Sequence, residues 1–185
     1  MGQPVDFLET NGRSIGSRIK LKIPLKISTI VLILKCLCNR LKGEQYMHFF
    51  PYLSFNGNCR EALTFYAELF GGTVNTLMPW NAEMIKGMPG ATEEHIMHGD
   101  ISVNDYTIAG SDQFGEMYSP AGNVSLMMDL DDVADAKAKF EALAEDGQVM
   151  MPFGETFFAE GYGFCTDRFG IMWQVHCTGN KGAPA

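Results

Sequence analysis

With 185 residues, 46% hydrophobic and 19% charged, the chain is long enough for one ordinary domain and is not composed like a disordered one. Its formal net charge of −8 is unevenly spread: residues 1–46 hold eight Lys/Arg against three acidic residues, which leaves six against nineteen for 47–185. An acidic body of this kind excludes nucleic acid and anionic membrane as expected partners.

The basic leader, 1–46, contains the apolar run "ISTIVLILKCLC" (27–38). The run is shorter than the roughly twenty apolar residues of a membrane span, and Lys35 interrupts it. No small-x-small cleavage site follows it, so it does not read as a signal peptide. "KGE" (42–44) can be encoded as a purine-rich bacterial ribosome-binding sequence just upstream of Met47. Translation is therefore expected to start at Met47, with 1–46 as upstream sequence read in frame. The five cysteines (Cys36, Cys38, Cys59, Cys165, Cys177) show no zinc-like spacing and are expected to be reduced thiols of a cytoplasmic protein.

From Met47 the pattern turns regular. "PYLSF" alternates like a short strand, and Asn56 or Asn58 is placed to cap the helix "REALTFYAELF", which Gly71-Gly72 ends. A strand "TVNTLMPW" follows, then a Gly/Pro-containing loop and a hairpin over 95–112 turning at Asn104-Asp105. The order then recurs. "NVSLMMDL" reads as a strand, "DDVADAKAKFEALAEDG" as a capped helix, "QVMMPFGETFF" as extended, and "GYGFCTDRFGIMWQVHC" as a hairpin turning at "DRFG". Ala62, Leu69 and Gly72 find counterparts in Ala136, Leu143 and Gly147. The fold class is thus α+β: two βαβββ repeats, about 48–115 and 121–178, forming a curved eight-stranded mixed sheet with helices on the outer face. The domain spans 47–180, with 181–185 as a flexible tail. The concave inner face is the expected site for a small ligand.

Three stretches, "PYLSFNGNCREALTFYAELFGG", "IMHGDISVNDYTIAGSD" and "GETFFAEGYGFCTDRFGIMWQV", carry a resemblance over essentially all of 48–178. They resemble the vicinal oxygen chelate superfamily, which includes glyoxalase I, bleomycin- and fosfomycin-resistance proteins and extradiol dioxygenases. The nearer match is its PhnB-like subgroup, also labelled 3-demethylubiquinone 3-methyltransferase-like. The resemblance implies a metal or substrate cavity on the inner sheet face and a homodimer. Positions matching the superfamily's metal ligands hold Phe50 or Pro51, Ala109 or Ser111, Ser125 and Gln174, none a His or carboxylate. Neutral side-chain oxygens are weak ligands for Zn, Ni or Fe, so no metal cofactor is expected at that place. A different divalent site built from His98, His176 and Glu155 is the alternative. Methyl transfer is not carried over, because a Gly-rich dinucleotide-type turn and a doubly wound sheet are both missing from the pattern.

Strand alternation sorts the inner face. It places Tyr52, Ser54, His98, Asp100, Ser102, Ser125, Met127, Asp129, Met172, Gln174 and His176 towards the cavity, with His98 opposite Ser111. His98 with Asp100 or Asp129 is the candidate proton shuttle. Tyr52, Ser54, Trp80, Ser111, Ser125, Met127, Glu155, Gln174 and His176 are the candidate ligand contacts; Phe157 and Phe158 are read individually as ordinary core in preference to further apolar lining. Three functions remain open: a small-molecule binding or sequestering protein, an enzyme using metal or His acid–base chemistry, and an accessory protein with a vestigial cavity.

Overall fold

The structure is a computed structural model and describes residues 49–120 and 122–179. The expectations for the leader 1–46 and for the tail 181–185 lie outside the described residues. Among the described residues no helix is long and apolar enough to cross a membrane.

The first half runs β1 (Tyr52–Phe55), α1 (Cys59–Phe70), β2 (Thr73–Pro79), β3 (Ile96–Val103), β4 (Tyr106–Asp112). The second repeats that order: β5 (Leu126–Asp129), α2 (Val133–Ala144), β6 (Gln148–Gly154), β7 (Gly161–Thr166), β8 (Met172–Cys177). The eight strands form two four-stranded mixed sheets, ordered β1-β4-β3-β2 and β5-β8-β7-β6. In each, the first strand pairs in parallel with the last and the remaining pairs are antiparallel. A short 3-10 turn, Gly115–Met117, follows β4 and was not foreseen from sequence.

Local chemistry accounts for these elements. The buried face of α1 is Cys59, Ala62, Leu63, Tyr66 and Ala67, the spacing of one helical stripe. Gly71 ends the helix in the left-handed region (φ 66°), where a side chain is disfavoured. α2 starts at Asp132, whose carboxylate accepts from the Asp135 amide at 2.7 Å. At α1 the capping expectation needs correcting. Asn58 stands at the N-cap position but makes no side-chain capping bond. Asp112, at the end of β4, accepts from the Cys59 amide (3.0 Å) with one oxygen and from the Ile96 amide (2.7 Å) with the other. The first hairpin turns at Asn104 with positive φ, and the second at Asp167-Arg168-Phe169-Gly170, as the turn residues demand.

Each helix covers one face of its own sheet: α1 contacts β2, β3 and β4, and α2 contacts β6, β7 and β8. The fit is close. A Cβ at Gly163 on β7 would stand 2.6 Å from the Phe140 ring of α2. The halves join through a common core rather than a strand ladder. Tyr66 meets Trp173 edge-on at 5.3 Å, Phe70 meets Trp173 at 5.3 Å, and Phe65 meets Phe169 at 5.7 Å. At the centre of that junction lies Asp167, 4% exposed.

Cys59, Cys165 and Cys177 are free and buried. Burial, chiefly, pushes the Cys59 thiol from 9.0 up to about 12, with Asp112 adding to it, and the Cys165 thiol up to about 11. Burial and then Asp167 hold the Tyr66 phenol well above 10. All three groups are neutral in the fold and lose their protons at lower pH once unfolded. The stability they contribute is complete below about pH 9 and is lost as pH rises from there towards 12. The urea midpoint is therefore expected to fall between pH 9 and 11, less steeply in Cys59→Ala. A midpoint flat to pH 11 would contradict this.

Candidate functional site

With the helices on one face, the other face of each sheet is open, and the site residues divide between two such faces. On the first sheet, β1 and β3 bring Tyr52, His98 and Asp100 together. The Tyr52 hydroxyl lies 3.1 Å from His98 Nδ1, and the two rings stack at 5.8 Å and 24°. Nε2 of the same imidazole is 3.8 Å from Asp100 Oδ1, beyond a hydrogen bond. Asn75 on β2 donates from Nδ2 to Asp100 Oδ2 (2.7 Å) and to Ser102 Oγ (2.8 Å), which orients that carboxylate. Ser54 is exposed beside this group and pairs with Ser111 in the β1–β4 ladder.

On the second sheet a continuous chain runs from β7 across β8 to Ser125, just before β5. Tyr162 donates its hydroxyl hydrogen to Gln174 Oε1 (2.8 Å), and Gln174 Nε2 donates to Ser125 Oγ (2.6 Å). Both ends of the Gln174 amide are thereby fixed, with Met127 its exposed ladder partner on β5. One step along, Asp129 Oδ1 accepts from His176 Nδ1 at 2.9 Å. Phe158 lies over that imidazole, nearly parallel at 13° and 6.2 Å, and meets the Tyr162 ring edge-on at 5.3 Å. Phe157, beside it, is 95% exposed.

Several expectations change here. Asp129 is not near His98; the parallel β5–β8 register makes it the partner of His176. Trp80 packs edge-on against Phe114 at 5.7 Å and joins neither polar group. Ser111 is buried, and its hydroxyl accepts from Gln113 Nε2 at 3.0 Å. Glu155 is exposed at the start of the β6–β7 loop, next to Gly154, which pairs with Tyr162 of β7. Tyr162 was not singled out from sequence, although its alternation within "GYGFCT" and the hairpin register opposite His176 point to the open face.

Neutral side chains stand at the positions expected to match the superfamily's metal ligands. Gln174 and Ser125, two of the matching positions, are committed to each other and to Tyr162. His98 and His176 stand on different sheets. Among the described residues no three His, Cys, Asp or Glu side chains are grouped to hold a metal ion.

A recess of about 870 Å³ lies elsewhere, along the outer side of α1 between Arg60, Thr64, Phe65, Glu93 and Arg168. It is shallow and open. Its Arg168 is already engaged, stacked 4.2 Å over Phe65 and 3.8 Å from Glu61. The sheet faces, where hydrogen-bonding groups converge, are the better candidate.

Residues 47–176 match the family described as 3-demethylubiquinone-9 3-methyltransferase. The chain is similar to protein YjdN of Escherichia coli K12, 32% identical over 136 residues, covering 68% of this chain and 92% of YjdN. Among solved structures it is similar to protein PA1353 from Pseudomonas aeruginosa, with 36% identity and a TM-score of 0.64 over 73% of this chain and all of PA1353. It shares the fold of the PhnB protein from Bacillus cereus, with 23% identity and a TM-score of 0.63 over 71% of this chain and 99% of that one. With paired βαβββ units, open sheet faces and a match that spans both halves, the chain belongs to the family described as 3-demethylubiquinone-9 3-methyltransferase.

Proposed function

We propose that the protein binds a small organic molecule on the open sheet faces, without a metal at the superfamily's usual position. The observation that carries this reading is the Tyr162–Gln174–Ser125 chain, which fixes hydrogen-bonding groups beside exposed Met127 and Phe158. Polar groups held rigid next to apolar surface are what a ligand site needs and what a plain solvent-facing sheet does not. We read the functional unit as a homodimer, because Tyr52, Met78, Met127 and Met151 leave much apolar surface on these faces for a second copy to cover. The family's name refers to methyl transfer. The two mixed sheets with βαβββ order offer no doubly wound cradle for a nucleotide-like methyl donor, and we do not assign that activity.

A second reading rests on the first sheet. Tyr52, His98 and Asp100 form a line through which a proton can pass, so acid–base catalysis on a bound molecule is the alternative. It predicts that His98→Gln keeps ligand uptake and loses turnover.

The test of binding is native mass spectrometry of the freshly purified full chain, with elemental analysis alongside. We expect a co-purifying organic molecule that Gln174→Leu loses, with uptake weakened at least about tenfold, the scale of one or two hydrogen bonds left unmade. Stoichiometric Zn, Ni, Mn or Fe held by His98 or His176 would contradict the metal-free reading.

A further inference from the structure

The eight strands among the described residues contain no Lys and no Arg. The basic residues stand elsewhere: Arg60, Lys137 and Lys139 on the helices, Lys86 in the β2–β3 loop and Arg168 in the β7–β8 turn. Four of these five are already paired, Lys86 with Glu83, Lys137 with Glu141, Lys139 with Asp135 and Arg168 with Glu61. Among the described residues, the open faces therefore carry carboxylates whose ionisable neighbours are histidines and not Lys or Arg. Asp100 lies on the first, and Asp129 on the second.

Around Asp129 the second sheet presents π faces and thioethers. Phe158 and Tyr162 flank His176. Across the ladder, Gln174 pairs with Phe164 on β7, and Phe164 pairs with the exposed Met151 on β6. Met127 closes the row on β5. Aromatic faces carry negative quadrupole density and attract cations, and thioethers are polarizable neighbours for flat rings. An anionic ligand would meet like charge here with no Lys or Arg to offset it.

We propose that the ligand of the second sheet face is a planar aromatic cation, its ring against Phe158, Tyr162 and Met127 and its positive charge beside Asp129. Phosphate-, phosphonate- and carboxylate-bearing ligands are disfavoured on that face, where Asp129 is exposed and no Lys or Arg stands on the strands among the described residues. This inference rests on the binding reading above and adds the sign of the ligand's charge.

The test is calorimetric titration of the full chain at pH 7.5 and physiological salt with three probes of one ring system: N-methylquinolinium, neutral quinoline and quinoline-2-carboxylate. The cation is expected to bind at least about tenfold tighter than quinoline, within the range that desolvated cation–π and carboxylate contacts supply, and the carboxylate most weakly. Asp129→Asn should remove most of the cation's advantage while leaving quinoline affinity unchanged. A carboxylate probe that binds as well as the cation overturns the charge assignment and leaves the binding reading intact. So does a cation preference that survives Asp129→Asn, because it would then come from the diffuse charge of an acidic protein. Absence of binding by all three probes overturns the binding reading, and this inference with it.

Discussion

Asp167→Ala is expected to cost about 3–5 kcal/mol of unfolding free energy, the largest loss from any single side chain in the domain. The Asp167 carboxylate accepts four hydrogen bonds: from the Tyr66 hydroxyl (2.5 Å), the Trp173 indole nitrogen (2.8 Å) and the Phe169 and Ile171 amides (both 2.9 Å). Two of these donors shape the β7–β8 turn. A third, Tyr66, comes from α1 in the other repeat, so one carboxylate ties the turn of the second half to the helix of the first. Alanine strands all four donors in a site that is nearly dry, and an unmade buried hydrogen bond costs more than a made one contributes. Urea unfolding monitored by Trp173 fluorescence measures the loss. Tyr66→Phe supplies the internal comparison, since it removes one donor and leaves no orphan on the carboxylate's other three bonds; it should cost only about 1 kcal/mol. A loss below about 1 kcal/mol for Asp167→Ala would show that the junction does not depend on this group.

Asp112→Ala is expected to cost about 2–4 kcal/mol, for a related reason. The carboxylate is 2% exposed and binds the first amide of α1 with one oxygen and the first amide of β3 with the other. It therefore caps the helix, complements the positive end of its dipole, and locks the helix start to the strand that carries His98. The variant has a second readout that lost packing alone would not produce. Asp112 is one cause of the raised Cys59 thiol pKa, so its removal should lower that pKa from about 12. Thiol titration by ultraviolet absorbance should show Cys59 ionising earlier in Asp112→Ala than in the parent. An unchanged Cys59 titration together with unchanged stability would contradict the capping role.

These two carboxylates also show where reading the chain stops. The repeat, the buried stripe of α1, both hairpin turns and the alternation of β1, β3, β5 and β8 were legible, because each depends on residues within a few positions of one another. Asp112 and Asp167 were not. An Asp at a strand end reads as a solvated turn residue, and one donor to each, the Cys59 amide to Asp112 and the Tyr66 hydroxyl to Asp167, arrives from 53 and 101 residues away. The same distance hid the capping of α1, where Asn58 fits the local pattern but Asp112 does the binding.

The site was legible as a set of side chains sharing a face and illegible as a set of partners. Alternation placed His98, Asp100, Gln174 and His176 on the open faces. Which acid meets which histidine depends on strand pairing, and the parallel β5–β8 register assigns Asp129 to His176. Trp80 reads as ligand-facing because it is a large aromatic beside a loop, and Phe114, past the end of β4, is a packing partner that local sequence does not reveal. Ser111 faces as alternation says, yet Gln113 two residues on takes up its hydroxyl.

The account turns on the claim that the open sheet faces, and not the recess along α1, receive the ligand. Methyl NMR of the full chain labelled at methionine Cε, titrated with quinoline, tests it most directly because methionines stand on the second open face and also away from it. Met127 and Met151 on the second open face should shift and saturate together. Met84 and Met88 in the β2–β3 loop and Met117 after β4 should stay in place. Shifts confined to that loop, or no saturable shift at Met127 and Met151, would contradict the account.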